Sequence, residues 1–166
     1  MFYHRINSRA GFTLLEMIVV VVLIGISAAL AVPSMRKFIV HNRLVSATNN
    51  IKLQILLAKN RSIMNTSVHT GVWFDNVNHR TLVFFDTKTL NTYSDSDQVY
   101  QAAETLPIGI TIDSLSNLSA ATTGSCVIFR GDGSARDGGT IRLRSEFETR
   151  TINILASTGR VKVIAP

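Results

Sequence analysis

The residue that asks most of its surroundings is Glu16, a carboxylate near the start of the apolar run "GFTLLEMIVVVVLIGISAALAVPSM". An ionisable group at membrane depth costs ~2.5–3.5 kcal/mol when centrally placed and marks a functional position by default. Elsewhere the residues able to do chemistry are sparse. His4, His41, His69 and His79 show no zinc spacing, and the single Cys126 allows neither a ligand cluster nor an internal disulfide. Cys126, within "SCVIF", reads as a small buried hydrophobe. Asp95 and Asp97 in "YSDSDQ" offer oxygens of the kind calcium takes, but the glycine and closing glutamate of a calcium loop are missing. A solvated loop is the better reading. The glycine-rich "RGDGSARDGG", Arg130 to Gly139, lacks the Lys-Ser/Thr ending and following helix of a phosphate loop, and its two Asp-Gly pairs mark an exposed turn. No nucleophile, base and orienter come together. The chain reads as a non-enzyme with no cofactor and no metal.

Cations form the second chemical pattern. Lys and Arg outnumber Asp and Glu by 17 to 11, a formal charge of +6 that favours anionic partners such as nucleic acid or lipid headgroups. Arg142 and Arg144 alternate with Ile141 and Leu143, so both leave one face of a strand, and Arg160 and Lys162 alternate likewise with Val161 and Val163. On adjacent strands these four would form a patch able to track a phosphate backbone through counterion release. No aromatic side chain lies among them to stack on bases. The competing reading is a solvated strand face partly balanced by Glu146 and Glu148.

Something must carry Glu16. From Met17 to Met35 the chain has no charged side chain, a stretch of roughly 28 Å at ~1.5 Å per helical residue, close to the ~30 Å hydrocarbon thickness. A spanning helix is one reading. A cleaved secretory signal is another, with a basic start and "ALA" at Ala29 to Ala31, although the run is longer than such signals use. A plain anchor is the third, and it gives Glu16 no purpose. Basic residues flank both ends (Arg5 and Arg9 before; Arg36, Lys37 and Arg43 after), so charge asymmetry leaves the orientation open.

The residues of this segment carry a resemblance. "GFTLLEMIVVVVLIGISAALAVP" resembles the N-terminal signature of type IV pilins and type II secretion pseudopilins: a short basic leader ending in Gly11, aromatic Phe12, then Thr13-Leu14-Leu15-Glu16, with Pro33 in the continuing helix. The resemblance implies a leader of residues 1–11, cleaved between Gly11 and Phe12 by a prepilin peptidase on the cytoplasmic side, and N-methylation of Phe12. It implies that Glu16 neutralises the amine of a neighbouring subunit's Phe12 during assembly. Opposite charges ~4 Å apart attract by about 4 kcal/mol even at an effective dielectric of 20. It also implies a single-pass inner-membrane anchor over about 14–35, a periplasmic head, and later residence in a pilus or pseudopilus with other subunits and an assembly platform.

Beyond the anchor, Val40, Leu44, Ala47, Ile51, Ile55 and Ala58 recur at spacings of three and four, which predicts one apolar stripe on a helix running to residue 64. Pro33 should bend that helix. After Asn65 the period changes. "SVHTGVWF" and "RTLVFFDT" predict strands joined by the Asp75–Asn78 turn, "LPIGITI" and "SCVIF" predict shorter strands, and residues 113–124 predict a loop. "TIRLRS", "RTINIL" and "GRVKVI" predict an antiparallel meander with one dry face. The expected fold class is therefore α+β, type IV pilin-like: a helix over 12–64 packed on a β-rich head over 65–166. "ILLAKNRSIMNTSVHTGVWF" and the closing "TGRVKV" resemble the GspH/FimT-like branch of minor pilins and pseudopilins. Some members of that branch are DNA receptors that use a C-terminal Gly-Arg-x-Arg motif. Here Gly159, Arg160 and Lys162 occupy it, with Lys replacing the second Arg and losing its bidentate fork. The expected function is a minor subunit at or near a filament tip, serving assembly and protein secretion, with DNA uptake as the alternative.

Overall fold

Helix α1, Leu14–Met64, has to satisfy different surroundings along its length. The computed structural model describes residues 11–87, 92–121 and 123–165, with the backbone alone at positions 31 and 33. The expected leader therefore lies outside the described residues except for Gly11. The chain divides between Phe38 and Ile39 into two compact units. In the first, α1 is apolar and exposed: its most apolar stretch has a mean hydropathy of 2.7 and buries nothing, so it is long and apolar enough to cross a membrane. Ser27 adds no unmet polar group there, because its hydroxyl donates to Leu23 O at 2.8 Å.

In the second unit α1 presents the predicted stripe. Leu44, Ala47, Ile51, Ile55 and Ala58 are fully buried, and they share one core with side chains from two antiparallel sheets. Among the described residues nine strands build those sheets: β1 His69–Asp75, β2 Arg80–Asp86, β3 Gln98–Thr105, β4 Thr111–Ser116, β5 Ser119–Ala120, β6 Ser125–Phe129, β7 Gly139–Arg144, β8 Thr149–Leu155 and β9 Arg160–Ile164. The first sheet runs β3-β2-β1-β6-β5 and the second β4-β7-β8-β9.

The sheets differ in how they are covered. Val72, Phe74, Val83, Val127 and Phe129 face the core shared with α1. Trp73, Leu82, Phe84, Cys126 and Ile128 face the other way, under Tyr93. With both faces dry, β1 and β2 read as continuous apolar runs. The second sheet is dry on one face only: Ile141, Leu143, Ile152 and Ile154 point into the core while Arg142 and Arg144 are exposed, as the alternation predicted.

Two expectations fail. Residues 113–124 are not a loop, since β4 continues to Ser116 and β5 follows. Opposite β7 a bulge between Ile112 and Ser114 inserts an extra residue, so the apolar positions Ile112 and Leu115 fall three apart and the alternation is lost. "LPIGITI" is not a strand over its whole length: Pro107 O accepts from Ile110 N–H at 3.0 Å and Gly109 takes φ +86°, so extended backbone begins only at Thr111. Strand β3 was not anticipated at all. It is an edge strand, mostly exposed and bulged against β2, with little apolar signal to read.

The β1–β2 turn is held by Asp75. Its burial favours the neutral acid, but hydrogen bonds from the Asn78 side chain and N–H, from Arg80 and from Val77 N–H outweigh that and bring its pKa down to about 2. A lowered carboxyl stabilises the fold above its unfolded value and loses that contribution as pH falls through the folded value. Asp75→Asn should therefore lower the midpoint of unfolding at pH 7, and the gap to wild type should close between about pH 4 and pH 2. Trp73, the only tryptophan, reports it through melts followed by fluorescence. The stripe gives a second test. Ile55→Ala should destabilise the head by about 2–5 kcal/mol, whereas Leu53→Ala, at a position 62% exposed, should change it by less than about 0.5 kcal/mol in denaturant titrations of the full chain in detergent.

Candidate functional site

Two places could act: the start of α1 and the outer edge of the second sheet. At the first, Gly11 and Phe12 precede the helix with no regular structure, and Phe12 is 83% exposed. Thr13 is the N-cap and Glu16 the third helical residue. The Thr13 N–H donates to Glu16 Oε2 at 2.9 Å, the Thr13 hydroxyl donates to the same oxygen at 3.0 Å, and Glu16 N–H lies 3.2 Å from Thr13 Oγ1. This is a capping box, in which side chains at the two ends of the first turn satisfy backbone donors that a helix start leaves open. Among the described residues Glu16 Oε1 has no partner, so one carboxylate oxygen holds the helix start while the other is available to a further donor. The role of Thr13 was missed from the sequence, though Thr-x-x-Glu ahead of an apolar run signals it. Pro33 lies within α1, and its side chain is outside the described set.

The second place requires a correction. Strands β7 and β9 are not neighbours: β8 lies between them. Arg142 is opposite Thr151 and Lys162 opposite Asn153, so these two share the outer face but stand two strands apart, roughly 10 Å. Arg144 and Arg160 lie opposite Thr149 and Leu155, about 20 Å apart along β8. Arg144 Nη1 also sits 3.5 Å from Asp113 Oδ1. The four cations form a diagonal scatter, not one patch.

What gathers is the pair at β9. The β8–β9 turn closes on Gly159, at φ +57°, where a Cβ would sit 2.3 Å from Gly133 O and 3.1 Å from the Phe129 ring. Only glycine fits both the left-handed backbone and that approach. From α1, Lys59 Nζ donates to Thr158 O at 2.8 Å and lies 3.4 Å from Gly159 O, fixing the turn from which β9 departs. Arg160 and Lys162 then line an outward groove of about 700 Å³, together with Thr140, Asn153 and Asn117. Gly138 and Gly139 also line it and are closely packed, since a Cβ on Gly139 would meet Leu118 Cδ2 at 2.4 Å.

The remaining candidates serve the fold. Asp97 accepts from Thr87 N–H at 3.0 Å and from Ser94 N–H at 2.9 Å, closing its loop. His41 Nδ1 lies 2.9 Å from Glu148 Oε2, and His69 Nδ1 4.0 Å from Asp86 Oδ2. Cys126 is buried, which pushes its thiol up to about 11 and leaves it unreactive at neutral pH. Among the described residues no three His, Cys, Asp or Glu side chains converge as metal ligands.

Residues 6–32 match the family described as "Prokaryotic N-terminal methylation motif". The fold is similar to two structures of the minor pseudopilin EpsH from the type II secretion system of Vibrio cholerae. One has a TM-score of 0.58 at 15% identity over 77% of this chain and 96% of that one. The other has 0.54 at 17% identity over 74% and 95%. It is likewise similar to the type IV minor pilin FimU of Pseudomonas aeruginosa, with a TM-score of 0.54 at 14% identity over 78% of this chain and 96% of that one. The fold is pilin-like. The motif at 6–32 and the pilin-like fold both agree with the resemblance to type IV pilins and pseudopilins. No curated protein sequence matches the pilin-like chain significantly.

The glycine turn generates a test. Gly159→Ala should destabilise the pilin-like head by about 2 kcal/mol or more, since it forces a side chain into left-handed backbone against a carbonyl, while Lys59→Met should lose about 1 kcal/mol. Denaturant midpoints read by Trp73 fluorescence check both.

Proposed function

We propose that this chain is a minor pilin or pseudopilin, a structural subunit at or near the tip of a type II secretion pseudopilus or type IV pilus. The observation that carries the reading is the coincidence on one chain of the methylation motif at 6–32 with a fold similar to a minor pseudopilin and a minor pilin. In this reading a prepilin peptidase removes residues 1–11 on the cytoplasmic side and methylates Phe12. The exposure of Gly11 and Phe12 ahead of the helix suits such cleavage. The first part of α1, about residues 14–35 with its bend at Pro33, anchors the subunit in the inner membrane with the head in the periplasm. It later enters the filament through an inner-membrane assembly platform, with separate ATPase machinery supplying the work.

Glu16 directs docking. Its Oε2 stays on the capping box while Oε1 meets the positive amine of a neighbouring subunit's Phe12. In hydrocarbon an unpaired carboxylate is penalised and a paired one is not, so insertion next to another subunit is favoured. The head contacts other minor subunits or secreted substrates. A DNA-receptor role would draw on Arg160 and Lys162, but it loses the four-cation patch, and among the described residues no aromatic side chain lines the groove.

Glu16→Ala tests the reading. Processing should be normal, with Phe12 as the first residue in N-terminal sequencing, while incorporation into sheared filaments falls by about two orders of magnitude. Unchanged incorporation after normal processing would sink the assembly role, and a mature protein beginning at Val32 would make the segment a secretory signal.

A further inference from the structure

Strand β9 is the last strand of the second sheet, paired on one side with β8 and open on the other among the described residues. An open edge presents a row of backbone N–H and C=O groups that another extended chain can pair with. Proteins blunt such edges, and three of the four described here are blunted. Strand β3 is bulged against its neighbour, β4 carries a bulge, and β5 is two residues long. Strand β9 has five residues in unbroken register with β8, from Arg160 opposite Leu155 to Ile164 opposite Thr151.

Its two faces differ. Outward point Arg160 and Lys162, over the groove of about 700 Å³. Neither takes part in an ion pair among the described residues. Beside Lys162, Asn153 Oδ1 accepts from the Thr140 hydroxyl at 2.9 Å, which leaves the Asn153 amide N–H groups as further donors toward the groove. Among the described residues no carboxylate lines it. Inward, Val161 and Val163 are only partly buried, at the rim of the core shared with α1. A strand laid along β9 would put alternate residues opposite each set.

We infer that the β9 edge is a docking site for an extended partner segment that alternates acidic and aliphatic residues. The acids meet Arg160 and Lys162 in the groove, the aliphatic side chains cover Val161 and Val163 and extend the core, and the backbone completes a fifth strand of this sheet. Charge selects the acidic face and the core rim selects the apolar one, while main-chain pairing supplies affinity. A phosphate backbone matches the cations but neither the ladder nor the valine rim. The inference goes beyond the assembly role of α1 and holds whether or not the chain enters a filament.

The test uses the full chain in detergent micelles and a fluorescent synthetic peptide of alternating aspartate and valine, read by anisotropy at low salt. The peptide should bind. Binding should weaken by about tenfold for Arg160→Ser/Lys162→Ser, and by at least as much when the peptide amides that face β9 are N-methylated, which removes the ladder and keeps the charge. A lysine-valine peptide should not bind. The inference is overturned if the aspartate-valine peptide fails to bind, or if N-methylation leaves its affinity unchanged. It is overturned too if duplex DNA binds more tightly than the peptide and loses that affinity in the double variant, which would give the surface to nucleic acid. Both substituted side chains are exposed, and an unchanged Trp73 emission in the double variant shows the fold intact.

Discussion

Burial of one helical stripe governs the architecture of the head. Leu44, Ala47, Ile51, Ile55 and Ala58 share one buried core with both sheets, including Ile141, Leu143, Ile152 and Ile154 from the dry face of the second. Each fully buried large aliphatic side chain contributes roughly 1.5–3 kcal/mol, so three of them rival the net stability of an ordinary domain. Everything that positions the groove follows from this core. Lys59 and Ser62 leave the same stretch of helix to hold the β8–β9 turn and the Phe129 carbonyl, the latter at 2.6 Å.

Much of this was legible in the residues. The stripe has helical period, "TIRLRS" to "GRVKVI" has strand period, and the Asp75–Asn78 turn announces its hairpin. Each signal is a repeat imposed by one buried face. Legibility ended where burial ceased to impose a repeat. Strand β3 buries too little to show one, β4 has its alternation broken by a bulge, and β5 is too short for any pattern. The order of strands was the other loss. Alternation told that Arg142, Arg144, Arg160 and Lys162 face outward, yet nothing local states that β8 intervenes between their strands.

At the other end of α1, the two oxygens of a single carboxylate stand differently. As the third helical residue, Glu16 satisfies a backbone donor that the helix start would otherwise leave open, and its second oxygen has no partner among the described residues. The conflict between a charge and an apolar run is thereby reduced before any partner arrives. Thr13 matters to that balance as much as Glu16, because the cap requires both side chains.

The unequal cover of the two sheets also sets where the head yields. Strand β1 has both edges paired and both faces dry, so its amides should be among the slowest to exchange with solvent. Strand β9 has one open edge and one wet face, and local opening there disrupts little of the core. That margin also keeps a row of backbone groups unpaired among the described residues. A ligand seated on it would raise protection across β8 and β9 first, which makes local melting and recognition two readings of the same free energy.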